Sequence, residues 1–183
     1  MSHPAISVEN VHLSLGAAAA RVHVLRGLNV NVPRGEAVGI VGPSGSGKST
    51  LLMTMAGLER PDRGRIVVDG TDLGPLDEDG LARFRGENIG LVFQSFHLIP
   101  NMTALENVAV PLELTGRDDP TGNLDGETGR QIIDLVFELR REHQATLVLV
   151  THDESLAALC DRVISMRDGE IVPAPAQAGE AAE

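Results

Sequence analysis

The nine residues "GPSGSGKST" at 42–50 gather three glycines, a lysine and four hydroxyls into a spacing that can hold a phosphate. They match G-x-x-x-x-G-K-[ST], a pattern that needs a strand before it and a helix after it to be meaningful. Gly42, Gly45 and Gly47 would let the backbone wrap closely with its N–H groups turned inward, an anion nest at a helix N-terminus. In that arrangement Lys48 reaches the β- and γ-phosphates and the Ser49 hydroxyl holds Mg²⁺. Ser44, Ser46 and Thr50 complete the loop. The plain alternative is a glycine-rich turn, but such a turn gives a lysine and hydroxyls at these offsets no packing role. A nucleotide phosphate site is the expectation.

The surrounding elements fit. "AVGIVG" (37–42) is a short apolar run ending in glycine, and "GKSTLLMTMAGL" has helical spacing that stops at Gly57. Apolar strands alternate with helices along the chain, the pattern of an α/β sheet. "RIVVDG" reads as a strand closed by an Asp-Gly turn, and "DEDGLARFR" as a short helix with acidic residues at its start. "NIGLVFQ" reads as another strand. Thr103 and Glu106 of "TALENV" form a capping box opening a helix. Ile132, Ile133, Leu135, Val136 and Leu139 make the stripe of an amphipathic helix. "ATLVLVTHD" is expected as a buried strand with polar chemistry at its end, and "RVISMRDGEIV" as a hairpin turning at Asp168-Gly169. "GAAAAR" (16–21) reads as a hairpin loop. The tail at 173–183 carries too little apolar surface to pack and is expected to be disordered.

Bulk properties bound the function. The chain has 183 residues, enough for one domain with a substantial core. A formal net charge of −11 argues against general nucleic-acid binding. Cys160 is the only cysteine, so no intrachain disulfide can form and a reducing compartment is the natural one. The N-terminus lacks a secretory pattern, and no apolar run approaches a membrane span. A membrane role must then come through a partner.

Beyond the phosphate loop, "FQSFHLIPNMTALENV" carries Gln94 just after an apolar run, "PTGNLD" follows at 120–125, and "TLVLVTHD" ends on His152. In this order the motifs resemble the ATP-binding subunits of ABC transporters, over nearly all of residues 6–172. Their wording is similar to the subgroup serving lipoprotein release and macrolide export. The resemblance implies a P-loop NTPase of ABC type with an N-terminal antiparallel β subdomain. Residues 1–172 would be one nucleotide-binding domain, shortened near 117–120 and with its helical subdomain largely missing. It implies ATP and Mg²⁺ as ligands, a membrane permease as partner, a homodimer, and a place on the inner face of the cell membrane. Carried over, Gln94 would touch Mg²⁺ and the attacking water, Asp125 would contact the opposite protomer, and His152 would contact the γ-phosphate. Phe96, Leu98 and Ile99 would line the groove for a coupling helix. Taken singly each has a plainer reading: a surface turn for Gln94, a helix cap for the Thr-His-Asp, core packing for the apolar side chains.

The sequence also departs from the family. The acidic strand expected before "PTGNLD" is replaced by "ELTGRDD", in which Asp118 and Asp119 fall in register but no apolar strand precedes them. Asp119 would take the catalytic position with a side chain one methylene shorter than glutamate; the alternative is a solvated polar turn. No L-S-G-G-Q or near variant occurs anywhere, and there is no Tyr or Trp to stack on adenine, leaving that contact to Leu15 or the loop after it. Little or no hydrolysis by this chain is therefore expected. The missing strand would neighbour "TLVLV", so an unpaired edge is expected there. The alternatives are a non-catalytic nucleotide-binding module and, from another class, a chromosome-maintenance ATPase. Acidic charge and the absence of long heptad segments count against the latter.

Overall fold

The computed structural model describes residues 3–16, 20–90 and 128–173, with side chains in the last segment from residue 133. β1 (Ile6–Leu15) and β2 (Val22–Val32) form an antiparallel hairpin, Ile6 opposite Val32 and Leu15 opposite Val22. The two strands are joined through "GAAAAR", as expected, residues 17–19 of which lie outside the described residues. β4 (Arg63–Val68) pairs antiparallel with β1 on its other side. The chain then turns at Asp69-Gly70 into β5 (Thr71–Asp72). Both turn residues have positive φ, 49° and 80°, as a two-residue hairpin of this twist requires. The resulting sheet has the order β2-β1-β4-β5.

A second sheet carries the chemistry. β3 (Ala37–Val41) lies inside it, flanked in parallel by β6 (Leu147–Val150) and β7 (Arg162–Arg167). β8 (Glu170–Val172) returns antiparallel along β7, giving the order β6-β3-β7-β8. Ala37, Val38 and Ile40 are fully buried, which is why β3 reads as a continuous apolar run rather than an alternating one. Strands of both sheets contribute to one apolar cluster: Val11, Leu25 and Leu28 from the first, Val38, Ile40 and Met166 from the second.

Four helices complete the described residues. α1 (Lys48–Met55) buries Leu51, Thr54 and Met55 and stops where the sequence placed its terminus. Gly57 takes φ 66°, its N–H bonds to the Thr54 carbonyl at 3.1 Å, and the Leu58 N–H reaches back to Met53 at 2.8 Å. That pair of bonds satisfies the orphan carbonyls of the last turn. α2 (Glu78–Asn88) starts on Asp77, whose carboxylate accepts the Gly80 N–H at 2.8 Å. Its Arg85 donates to the Gly57 carbonyl at 2.8 Å and so joins the ends of the two helices. α3 (Thr128–His143) is the amphipathic helix, and α4 (Glu154–Ala157) is a single turn after β6.

Three expectations need correction. β6 is not a buried strand: all four of its residues are half-buried, and among the described residues β3 is its one partner. In α3 the residue driven furthest into the core is Phe137, which the apolar stripe omitted, while Ile133, Leu135, Val136 and Leu139 are half-buried. At the start of "NIGLVFQ", Asn88 closes α2 instead of opening a strand. The rest of that segment, the capping pair Thr103 and Glu106, and most of the tail lie outside the described residues.

Candidate functional site

The base of β3 is pinned before its top presents the loop. The Asp161 carboxylate accepts the Ala37 N–H at 2.8 Å and pairs with Arg140 of α3, whose guanidinium also donates to the Gly35 carbonyl at 2.6 Å. That backbone bond, aided by the Arg140 charge, holds the Asp161 carboxyl below its ordinary range. Glu36 pairs with Arg162 at 2.9 Å, tying β3 to β7 at the same end.

At the other end of β3 the chain enters the loop through Gly42 (φ 148°) and passes Gly45 (φ 78°) and Gly47 (φ 95°) into α1. A Cβ on Gly42 would meet the Met166 carbonyl of β7 at 2.1 Å, so no other residue fits while the loop sits this close to the sheet. A Cβ on Gly45, by contrast, would meet nothing within 4 Å: that part of the loop faces open space. Ser46 and Gly47 are buried, whereas Ser44 and Ser49 are exposed and Thr50 is half-buried.

Lys48 opens α1, and its ammonium turns back across the loop. It donates to the carbonyls of Gly42 and Pro43, both at 2.8 Å, and lies 3.4 Å from the Ser46 hydroxyl. The start of α1 has Gly47 as N-cap with no side-chain cap, and its first turn carries no acid. Free helix N–H groups, one lysine and exposed hydroxyls make a site for an anion and repel nothing that is negatively charged. The residues suit a nucleotide phosphate, and the exposed Ser49 hydroxyl, at the start of the helix, is the available oxygen for a hard cation.

Parallel pairing sets the neighbouring strand level with the loop. Ile40 is opposite Val150, and the Thr151 N–H donates to the Ile40 carbonyl at 3.2 Å, so Thr151 and His152 follow β6 at the height where Gly42 follows β3. His152 is exposed. The helix-cap alternative is met by its neighbour: Asp153 accepts the Ser155 N–H at 2.8 Å and the Ser155 hydroxyl at 2.6 Å. Those bonds, with the nearby His152, lower the Asp153 carboxyl from its ordinary value. Leu15 is 38% exposed at the tip of β1.

Gln94, Phe96, Leu98, Ile99, Asp118, Asp119 and Asp125 lie outside the described residues. What the sequence did not point to is the backing of the loop. The Gly169 N–H donates to the Ser46 carbonyl at 3.2 Å, and a Cβ on Gly47 would sit 3.1 Å from the Val24 carbonyl and 3.5 Å from the Met166 methyl. The Asp168-Gly169 turn was legible, but nothing local shows that it touches the phosphate loop.

Residues 25–159 match the ABC transporter family. Among similar proteins, the uncharacterized ABC transporter ATP-binding protein YbbA of Escherichia coli K12 is 36% identical, over 91% of this chain and 96% of that protein. The lipoprotein-releasing system ATP-binding protein LolD of Bacteroides fragilis is 35% identical over 91% of this chain and 100% of its own length. The macrolide export ATP-binding/permease protein MacB of a Shewanella species is 32% identical over 94% of this chain but only 34% of its own. Among solved structures, the ATP-binding cassette MJ0796, a dimer bound to ADP and Pi, superposes with a TM-score of 0.77 at 30% identity, covering 92% of this chain and 97% of that one. The alignment to the Escherichia coli protein runs over 218 residues yet takes in only 91% of 183, so about fifty residues inside its span have no counterpart here. The chain belongs to the ABC transporter family, as one of its ATP-binding subunits.

Proposed function

We propose that this chain binds Mg-ATP at the 42–50 loop and serves a membrane permease of the lipoprotein-release or macrolide-export type. The observation that carries the reading is the uncapped start of α1 beneath a glycine loop whose one cation, Lys48, lies across it. On binding, the Lys48 ammonium exchanges two loop carbonyls for phosphate oxygens, while N–H groups of the loop and first helical turn surround the β-phosphate. Ser49, with Gln94, is the candidate holder of Mg²⁺, which would neutralise charge on the β- and γ-oxygens. Gly42, Gly45 and Gly47 shape the cradle, Ser44, Ser46 and Thr50 line it, His152 meets the γ-phosphate, and Asp125 meets a second copy across a dimer. The kinship to LolD and MacB supports the permease type, and the absence of a spanning helix among the described residues leaves membrane attachment to that partner. The place is the inner face of the membrane, where ATP is.

In this reading the chain is shortened near 117–120, where the family signature and acidic strand would stand. Without the signature, a dimer lacks donors for the γ-phosphate of its partner's ATP. Asp119 is then the only candidate for the water-polarising carboxylate.

Displacement of a fluorescent nucleotide by ATP tests the site. Lys48→Ala is expected to weaken binding by about tenfold or more, through loss of a charge-assisted bond. Unchanged affinity in a folded variant would contradict the assignment.

A further inference from the structure

The chain makes the same two-residue turn twice. Asp69-Gly70 joins β4 to β5 with φ values of 49° and 80°, and Asp168-Gly169 joins β7 to β8 with 51° and 81°. Their backbones are alike, but their surroundings are not. A Cβ on Gly70 would meet nothing within 4 Å. A Cβ on Gly169 would stand 2.2 Å from the Val24 carbonyl of β2. Gly169 also donates its N–H to Ser46 of the phosphate loop at 3.2 Å and accepts the Arg26 N–H of β2 at 2.9 Å. One turn therefore only reverses the chain; the other is wedged between the first sheet and the phosphate loop.

The wedge has consistent geometry. Ser46 is 2% exposed, and its carbonyl is taken up by Gly169 while its N–H bonds to Pro43 at 3.3 Å. The Val24 carbonyl that excludes a side chain at Gly169 also lies 3.1 Å from the Cβ position of Gly47. Loop and turn thus close on the same peptide of β2 from two sides. Met166, on the strand leading into the turn, closes the floor beneath Gly42.

From this we infer that Gly169 is a positioning residue for nucleotide binding: its N–H fixes the Ser46 peptide, so that the loop keeps its inward-facing N–H groups in place before a phosphate arrives. The inference rests on the phosphate-site reading. An exact cradle costs nothing to reorganise when the anion binds, whereas a loop released from its backing must be reordered at the expense of affinity. The site contacts of Lys48 and Ser49 are untouched by the turn, so its effect reaches the ligand only through the loop.

The twin turn supplies the control. Gly169→Ala and Gly70→Ala impose the same strained φ, but only the first drives a methyl into backbone, pushing the turn and its N–H away from the Ser46 carbonyl. Calorimetric titration of the full chain with ADP is expected to show a dissociation constant raised by about tenfold or more in Gly169→Ala, at unchanged stoichiometry, and wild-type affinity in Gly70→Ala. A merely unfolded fraction would lower stoichiometry and leave the constant alone. Equal affinity for Gly169→Ala and the wild type, or equal losses in both variants, would overturn the inference. A wild-type chain that bound no ADP would instead remove the phosphate-site reading beneath it. Should Gly169→Ala fail to fold, hydrogen exchange on the wild type decides: ADP is expected to slow exchange of the Gly169 amide and leave the Gly70 amide unchanged. An unaffected Gly169 amide would be evidence against the wedge.

Discussion

Lys48 holds three loop acceptors in the structure, two of them carbonyls at 2.8 Å, and in the proposed site would give them up for phosphate oxygens on binding. A charge compensated by neutral carbonyls gains from that exchange, because an ionised partner makes the stronger bond. At the opposite end of β3, Asp161 acts through geometry that pH can test. Its carboxyl is lowered from 3.8 by the Ala37 N–H and by Arg140. A lowered folded-state value means the unfolded chain binds more protons as pH falls below that ordinary value, so the contribution is full above it and is lost as pH drops through the folded value. Asp161→Asn is expected to lower the melting temperature at pH 7, with the gap to wild type narrowing as pH falls below the ordinary carboxyl value and through the lowered folded-state one. A gap that did not narrow as pH falls would show that the change acts through packing. At this scale the sequence was most legible: the spacing of Gly42, Gly45, Gly47 and Lys48 announced a phosphate loop, because the chemistry there is local. Gly169 was not legible as part of it, since a turn glycine looks the same whether or not a carbonyl lies 2.2 Å from its absent Cβ.

The two parallel neighbours of β3 show how the elements share the load. β7 is covered by β8 on its far side, while β6 has no second partner among the described residues. Fully buried Ile40 and half-buried Val150 are opposite one another in register, so they compare centre with edge directly. Ile40→Ala is expected to cost about 3 kcal/mol in urea unfolding, and Val150→Ala less than half of that. Comparable losses would mean that β6 is as well covered as β3. The alternation of strands and helices, the Asp-Gly turns and the glycine stop of α1 followed from the sequence, because apolar runs, turn dipeptides and caps are each encoded within a few residues. The incomplete burial of β6 did not follow from its own residues: "TLVLV" is as apolar as a central strand. Phe137 escaped the helical stripe for a related reason, since which face of α3 turns inward depends on Arg140 reaching Gly35 and Asp161.

For the molecule as a whole, the antiparallel sheet and the sheet that carries the 42–50 loop share one core, and the Asp168-Gly169 turn ties them at the loop. The proposed nucleotide site needs only what this body carries: cradle, lysine and hydroxyl. Sustained turnover in the proposed reading needs γ-phosphate donors and an oriented carboxylate, and the sequence contains no L-S-G-G-Q. Steady-state phosphate release is therefore expected to be near background, and a robust rate abolished by Lys48→Ala would show that Asp119 or another group fills the gap. The most direct measurement is a calorimetric titration of the intact chain with Mg-ATP. A saturable isotherm at one nucleotide per chain, with heat returning to baseline after each injection, is the expected result. The absence of saturable heat would contradict the central claim that this fold presents a working nucleotide site.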